Sequence, residues 1–345
     1  MTRLLSLSLA ALGSAGACSS WSMEKAFRLS GRTLDLTPDD FPFGIGVVVS
    51  PRGSEGALKQ KVRLGHVGVF FLPNSSAPRT EDDFHARIAT LNEKGLSCDE
   101  QHLNGSHFPQ PSGDPHRDLS IHRFCEWAAG NFATVAAVKQ ALHNVTVYSD
   151  SGSGNHHYVV RDSAGAAVLV EATDGRELTL HDDLNDGGTT GFGVVTNSPP
   201  FAEQLQRMRA RLQEATPASG GWHSDERFQR LALVKAALPV PRSLPAAIAQ
   251  TFSVMDTVDT PAGKQRGQDW ATEYTVVGFV RDHQAPAMYW RTAQNQQVQR
   301  LNLPDLGLDK EGAQRLFMSI AEPSLAWFHD AATALRPVAL RRESV

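Results

Sequence analysis

The 345-residue sequence lacks any long run of lysines and arginines, and its formal net charge is −4 at pH 7. A chain of this kind has no electrostatic footprint for a nucleic acid. Beyond its N-terminus it also lacks any apolar run close to the roughly 18 residues that a membrane-spanning helix needs. Its 41% hydrophobic and 20% charged residues are typical of a folded globular protein with a substantial core.

Cysteine is also scarce, with copies only at Cys18, Cys98 and Cys125. In an exported protein, Cys98 and Cys125 are the better candidates for a disulfide pair, which leaves one thiol over. Each of the two could equally be a buried, unpaired side chain, so the sequence leaves the bridge open. Three N-x-S/T sequons are compatible with a eukaryotic secretory route but are weak evidence for source or glycosylation. They lie at Asn74, Asn104 and Asn144.

The N-terminus has the layout of a cleavable secretory signal. Arg3 is followed by an apolar segment and then by small residues, with Ala15 and Ala17 in an A-x-A pattern. An uncleaved anchor and a bacterial lipoprotein signal are the alternatives, but the latter usually carries Leu where this chain has Ala15. We therefore expect removal of residues 1–17 and a mature protein, starting at Cys18, that is secreted, periplasmic or in a lysosome-like compartment.

The order of predicted elements is strands, then helices, then strands. Residues 92–121 are rich in Gly, Pro, Asn and Ser and predict a loop. β-branched and aromatic runs predict strands at 19–22, 31–36, 44–49, 66–72, 156–171 (a hairpin), 273–282 and 287–303. Apolar residues at helical spacing predict helices within 131–145 and at about 202–214, 225–237, 244–257, 309–319 and 324–334. This order predicts an α+β fold, with residues 18–345 as a single domain.

A cysteine at the start of a chain can act as its own catalytic pair. The thiol is the nucleophile, and the free α-amine, with an ordinary pKa near 8, can accept and return a proton. A neighbouring cation should lower the thiol pKa, because the thiolate is the reactive form. The amine of Cys18 cannot do this work inside a peptide bond, so removal of the leader would be the activating step.

The stretch "CSSWSMEKAFRLSGRTLDL" resembles the opening of the choloylglycine hydrolase family, which includes bile-salt hydrolases and penicillin V acylases and is related to acid ceramidase-type amidases. The resemblance continues, in the family's order, through "LNEKGLSCD", "HHYVVRDSAGAAVLVE", "VVTNSPPF", "DERFQRLALVKAAL" and "FSVMDTVDTPAGK". It covers nearly all of residues 18–305. It implies an N-terminal-nucleophile (Ntn) hydrolase with a four-layer αββα sandwich that cleaves linear amides through a thioester and needs no cofactor.

The resemblance also implies roles for individual residues. Cys18 matches the nucleophile, Arg32 the arginine beside the thiol, and Asp35 the carboxylate that holds the α-amine. Asn197 matches the amide that donates to the oxyanion, and Arg227 matches a second active-site arginine. Strand alternation would place Arg32 and Asp35 on opposite faces unless the backbone bulges between them, so their joint role follows from the resemblance alone.

One position departs from the family pattern. Ten residues beyond Asn92, the family has Asn in bile-salt hydrolases or Tyr in penicillin acylases, contributing to the oxyanion hole. An ungapped count gives His102 here, and a two-residue shift gives Asn104. A backbone N–H could replace the side chain, so the departure leaves the substrate open.

We therefore expect a small amide substrate with an apolar acyl group. Bile salts, penicillins, N-acyl lipids and acyl-homoserine lactones all remain open, as does a non-catalytic secreted module that binds apolar ligands. Such families often form dimers or tetramers, so a homo-oligomer is compatible with the sequence. The adjacent His156 and His157 suggest a metal, but neighbouring strand residues point to opposite faces and cannot easily share an ion. We therefore predict no metal site.

The residues carried over from the family have alternative structural interpretations. Arg32 and Asp35 could form a surface ion pair. Asn197 could shape an Asx-type turn. Arg227 could be a solvated charge.

Overall fold

Two β-sheets stacked face to face form the centre of the protein. The computed structural model describes residues 17–24, 26–37, 44–72, 84–149, 154–175, 177–185, 192–214, 220–262, 273–320, 328–330, 332 and 335–337. The strands are β1 (Ala17–Met23), β2 (Leu29–Leu36), β3 (Ile45–Ser50), β4 (His66–Phe71), β5 (Ala89–Asn92), β6 (Ser97–His102), β7 (Asp118–Ser120), β8 (Thr146–Tyr148), β9 (His156–Arg161), β10 (Ala167–Glu171), β11 (Thr179–His181), β12 (Val194–Val195), β13 (Tyr274–Asp282), β14 (Ala287–Thr292), β15 (Val298–Asn302), β16 (Leu316–Ser319), β17 (Phe328–Asp330) and β18 (Arg336–Pro337). The helices are α1 (Phe124–Asn131), α2 (Val135–Leu142), α3 (Phe201–Glu214), α4 (Ser224–Ala237) and α5 (Leu244–Asp256).

The sheets and helices form four layers. The first sheet has the strand order β12-β1-β2-β13-β14-β15-β17, and the second has the order β11-β10-β9-β6-β5-β4-β3-β16-β18. An apolar core between the sheets includes Leu34, Val47, Val69 and Trp290. Helices α3, α4 and α5 pack on the outer face of the first sheet, and α1 and α2 pack on the outer face of the second. The fold is thus of the α+β class that the element order predicted, and it is the four-layer αββα sandwich that the family resemblance implied.

Strand β2 lies between β1 and β13 in the first sheet, and α5 packs closely against it. The helix begins after Ser243, whose side chain accepts a hydrogen bond from the backbone N–H of Ala246. A Cβ at Gly31 would lie 2.7 Å from Trp21 Nε1 and 2.9 Å from Met255 Sδ. Only a glycine therefore allows the helix to pack this closely behind the strand.

Several predicted elements differ from the structure. The region 92–121 was predicted to be a loop, but it contains β6 and β7. Strand β6 is buried or half-buried along its length and largely polar, so it shows no apolar alternation. The predicted helix at 309–319 is wrong, because Leu316–Ser319 is a strand that pairs with β3. Within the predicted helix at 324–334, residues 328–330 form a strand parallel to β15. The single strand predicted at 287–303 is two strands, β14 and β15.

The two later cysteines form a disulfide. Cys98 on β6 is bonded to Cys125 on α1, which ties the second sheet to its covering helix. Cys18 is the remaining cysteine; it is free and buried. No helix within the described ranges combines the length and apolar content needed to cross a bilayer. The predicted leader up to residue 16 and the sequon at Asn74 lie outside the described residues.

Candidate active site

Cys18 lies on β1 with its side chain between the two sheets. Its strand partner is Leu34 of β2, and both side chains join the core between the sheets. Only 3% of Cys18 is exposed. Arg32, on the same face of β2, places its Nη2 atom 3.5 Å from the sulfur. The structure thus brings the proposed nucleophile and the first arginine into direct contact.

The second sheet holds the guanidinium of Arg32 in place. Its Nη1 atom donates to the carbonyl oxygen of Ile88 and its Nη2 atom donates to the carbonyl oxygen of Glu100. Nη1 also lies 3.3 Å from Oδ1 of Asp99. Since Arg32 and Asp99 are 1% and 0% exposed, this is a buried contact between sheets and not a surface ion pair.

Asp99 is the centre of a buried arginine cluster. Arg281 of β13 binds its carboxylate with two hydrogen bonds, at 2.7 and 2.6 Å. Arg161 of β9 lies 3.6 Å from the same carboxylate. Burial alone would raise the pKa of Asp99, but Arg281, Arg32 and Arg161 outweigh it and hold that pKa below its usual range. Asp99 is therefore an anionic anchor for the arginine that touches the thiol.

The pKa of the Cys18 thiol is raised above its ordinary value. Burial is the largest cause, and the charge of Asp35 adds to it, whereas Arg32 and Arg227 act in the opposite direction. The sequence led us to expect a thiol pKa lowered by a neighbouring cation; Arg32 has that effect, but burial exceeds it. The resting group is therefore a thiol, and its reaction needs a base.

Asn197 follows the short strand β12 and is fixed by hydrogen bonds on both sides of its amide. Its Oδ1 atom accepts from the backbone N–H of Cys18 at 2.7 Å and from Nη2 of Arg227 at 2.8 Å. Its Nδ2 atom donates to the carbonyl oxygen of His102 at 3.0 Å. Two donors on Oδ1 fix the orientation of the amide, so its N–H groups are directed away from Arg227.

Arg227 and Gln204 fix the surroundings of Asn197 from the helical layer. Arg227 of α4 is 1% exposed, so it is not the solvated charge that was one alternative. Its Nη1 atom donates to the carbonyl oxygen of Cys18 at 2.7 Å and also to the hydroxyl of Ser19. Gln204 of α3 donates from Nε2 to the carbonyl oxygens of Asn197 and Pro199, at 2.5 and 2.7 Å.

Asp35 lies on the opposite face of β2 from Arg32, as alternation predicted. Its carboxylate accepts from the hydroxyls of Thr275 at 2.6 Å and Thr260 at 3.4 Å. Its strand partner is Ala17, the residue before Cys18. The bulge in this region is on the neighbouring strand β13, at Thr275–Val277. Asp35 is therefore paired with the residue before Cys18, whereas Arg32 contacts the side chain of Cys18.

His102 lies at the end of β6, beside Asn197. Its Nε2 atom is 2.6 Å from Oδ1 of Asn104, and burial lowers its pKa. In a neutral ring whose Nε2–H donates to Asn104, the other ring nitrogen carries no proton to donate. The backbone N–H of Asn104 donates to the hydroxyl of Ser198 at 2.8 Å. This hydrogen bond joins the segment after β6 to the segment after β12. The oxyanion role of His102 stays a prediction.

A cleft opens beside the thiol. One part of its wall is apolar and consists of Leu34, Leu36, Phe71 and Ile88. The other part is polar and consists of Arg32, Glu100, Gln101, His102 and His156. Burial raises the pKa of Glu100 to about 7 and lowers that of His156 to about 3. A ligand with an apolar portion and a polar portion matches these walls.

The structure thus brings Cys18, Arg32, Asn197 and Arg227 into one hydrogen-bonded group. Asp35 lies on the other face of β2, and His102 lies beside Asn197. Sequence reasoning missed Asp99, Arg281 and Gln204. One signal was available: Arg281 directly follows the apolar run of β13 within the same strand, and a buried arginine needs an acidic partner.

Comparison with known proteins gives one consistent result. The family model described as "Linear amide C-N hydrolases, choloylglycine hydrolase family" matches residues 18–212 and 210–315. The chain is similar to a "Bile salt hydrolase/transferase" of Bifidobacterium longum, at 24% identity over 81% of this chain and 92% of that protein. It is also similar to a "Penicillin V acylase" of Pectobacterium atrosepticum, at 28% identity over 33% of this chain and 31% of that protein.

Solved structures show the same fold. A penicillin V acylase from Agrobacterium tumefaciens superposes with a TM-score of 0.75 at 22% identity, covering 93% of this chain and 97% of that one. A variant of the conjugated bile acid hydrolase from Clostridium perfringens superposes with a TM-score of 0.71 at 18% identity, covering 90% of this chain and 99% of that one.

Proposed function

The chain belongs to the choloylglycine hydrolase family of linear amide C–N hydrolases, and from this premise we propose that Cys18 is its nucleophile and that the α-amine of Cys18 is its base. The observation that supports this most directly is the bonded group around Cys18. Arg32 contacts the sulfur, while Asn197 and Arg227 bind the backbone N–H and carbonyl oxygen of the same residue. Three side chains from three elements therefore fix one cysteine at every polar atom.

In the proposed reaction, the sulfur of Cys18 attacks the amide carbonyl of the substrate and the thiol proton passes to the α-amine. Asn197 Nδ2 and a backbone N–H stabilise the oxyanion of the tetrahedral intermediate. The C–N bond breaks as the leaving nitrogen takes that proton, which gives an amine and a thioester on Cys18. Water, deprotonated by the same amine, then attacks the thioester, releases the carboxylic acid and restores the thiol.

We propose that loss of residues 1–17 supplies the base. In the full chain Ala17 is a buried residue of β1, opposite Asp35. The nitrogen of Cys18 is then a peptide nitrogen, and a peptide nitrogen has no available lone pair. Removal of Ala17 would leave a free α-amine near Asp35, whose negative charge would stabilise the ammonium that forms when this amine accepts the thiol proton. On this proposal the mature enzyme is secreted, periplasmic or lysosomal.

For the substrate, we propose an amide whose acyl group is apolar. Leu34, Leu36, Phe71 and Ile88 form the part of the cleft wall suited to such a group. The polar wall, which includes His102, would receive the amine portion. Bile-salt conjugates, penicillin V, N-acyl lipids and acyl-homoserine lactones all fit this description, so a panel of these amides is the appropriate assay.

Two proteins that differ by one residue test the role of the α-amine. One begins at Cys18 and the other at Ala17. We expect the longer protein to hydrolyse every amide of the panel at least about 100-fold more slowly, because general base catalysis contributes about that much or more. Both should fold, since Ala17 continues β1. Equal hydrolysis by the two proteins would contradict the proposal, and no hydrolysis by either would favour a binding protein.

Replacing Asn197 by alanine tests the oxyanion contact. We expect Asn197→Ala to lower kcat by about 100- to 1000-fold with little change in KM, because the amide would donate mainly to the transition state. Asn302→Ala is the matched control; its side chain is half-buried and bonds only to Asp305 among the contacts seen. A fall confined to KM would mean that Asn197 binds the substrate without stabilising the oxyanion.

A further inference from the structure

Glu100, His122 and His156 form a cluster near the candidate active site, and none of them makes or breaks a bond in the proposed acyl transfer. Glu100 and His156 lie on adjacent strands, where Glu100 pairs with Tyr158 and His102 pairs with His156. The side chains of Glu100 and His156 are therefore diagonal neighbours on one face of the sheet. His122 comes from the turn before α1 and places its ring edge-on to that of His156, with 5.4 Å between the ring centres.

The three side chains converge at metal-ligand distances. One ligand atom from each residue lies within 4.8 Å of the other two. Around a tetrahedral zinc ion with bonds of about 2.0–2.1 Å, ligand atoms are roughly 3.3 Å apart. Nδ1 of His156 and Oε1 of Glu100 already have that separation, at 3.3 Å. Since the remaining separations are within 4.8 Å, a shift of about 1.5 Å in the ring of His122 would bring three ligands to the corners of a tetrahedron.

We propose that Glu100, His122 and His156 bind a divalent transition-metal ion, with Zn²⁺ as the probe, through one carboxylate oxygen and two imidazole nitrogens. Two histidines and one carboxylate are a ligand set of zinc sites that keep the fourth position open for water. Imidazole nitrogens disfavour Mg²⁺ and Ca²⁺, which prefer oxygen ligands. This proposal does not depend on the acyl-transfer mechanism.

The cluster can be reached by an ion from solvent. The side chains of Glu100 and His156 are 11% and 19% exposed, and both residues line the cleft that contains Cys18. His157 takes no part: its Nδ1 atom lies 3.1 Å from Glu171 on the other face of β9. Adjacent histidines thus do not share an ion, but His156 meets two residues that are distant in sequence.

Two nearby groups influence the site and shape its test. The guanidinium of Arg32 donates to the backbone carbonyl of Glu100, and its positive charge should weaken the binding of a cation. The free thiol of Cys18 lines the same cleft and could bind Zn²⁺ by itself. The test therefore uses Cys18→Ala as its background. The disulfide occupies the other two cysteines.

The experiment is calorimetric titration of metal-free, full-length Cys18→Ala protein with Zn²⁺. We expect one ion per chain, and a loss of affinity of at least about tenfold when His122→Gln or His156→Gln is added. His116→Gln is the control, because His116 is an exposed histidine outside the cluster. Co²⁺ in place of Zn²⁺ should show the visible absorption of a tetrahedral site without a thiolate charge-transfer band. Thermal melts establish that each variant is folded.

Three outcomes would overturn the proposal. The first is no saturable binding to folded Cys18→Ala protein. The second is binding that is seen with Cys18 present and lost with Cys18→Ala. The third is an equal loss of affinity in His116→Gln and in both cluster variants, which would mean that zinc binds to surface histidines in general.

Discussion

Replacing Cys18 by serine is expected to lower kcat/KM for any amide substrate by at least about 1000-fold while leaving the protein folded. The hydroxyl keeps the shape of the side chain, but its proton is much harder to remove than that of a thiol. The fold should survive because Asn197 and Arg227 bind only the backbone of Cys18. The measurements are steady-state hydrolysis and a thermal melt for each protein.

The control for this experiment lies two residues along the same strand. Ser20 is fully buried and its hydroxyl has no hydrogen-bond partner among the described residues. Ser20→Ala therefore removes one oxygen atom near the site without breaking a contact, and activity should change by a few-fold at most. Undiminished hydrolysis by Cys18→Ser would exclude Cys18 as the nucleophile. A loss of folding in Cys18→Ser but not in Ser20→Ala would leave the structural role of Cys18 as the explanation.

The second large effect is expected at Asp99. Asp99→Asn should lower the free energy of unfolding at pH 7 by about 3 kcal/mol or more, because it leaves Arg32, Arg161 and Arg281 buried without a counter-charge. Hydrolysis should fall as well, since Arg32 loses its anchor on the second sheet. Asp305→Asn is the control, because it removes an exposed carboxylate that contacts only Asn302 among the interactions seen.

The loss at Asp99 should depend on pH. Burial acts to raise the pKa of this carboxyl, but the three arginines lower it further, so its folded pKa is below the unfolded value of about 3.9. A depressed pKa contributes stability that is fully present above the unfolded pKa and is lost as pH falls through the folded pKa. The difference between wild type and Asp99→Asn should thus be full at pH 7 and shrink below about pH 4. Denaturant unfolding of both proteins at pH 7 and below about pH 4 measures this difference in the free energy of unfolding. A difference that stays constant would mean that the charge of Asp99 does not stabilise the fold.

Much of the fold and of the candidate active site could be predicted from the sequence. Apolar periodicity marked α3, α4 and α5 and the strands whose buried faces are aliphatic. The resemblance marked the residues that the structure brings together around Cys18. Strand alternation alone also placed Arg32 and Asp35 on opposite faces, where the structure has them.

The error at 92–121, where the sequence predicted a loop, occurs because polar side chains are buried there. Strand β6 carries Asp99, Glu100 and Gln101, which are typical of a solvated loop because sequence patterns equate charge with exposure. Whether such a segment is buried depends on partners that are far away in the chain, such as Arg281, 182 residues from Asp99. The cluster around His156 was missed for the same reason: its three members are separated in sequence and meet because β6 and β9 are neighbours and the turn before α1 packs against His156.

The contacts of Arg32 have a consequence for the stage of folding at which the surroundings of Cys18 form. Arg32 belongs to one sheet, while the carboxylate and the two carbonyl groups that hold it belong to the other. The electrostatic environment of Cys18 therefore exists only after the two sheets have docked in the correct alignment. In a chain whose two sheets have not docked, even one without its leader, Cys18 would lack an Arg32 that the second sheet holds in place. On the proposed mechanism, a reactive Cys18 therefore requires the docking of the two sheets as well as the loss of the leader.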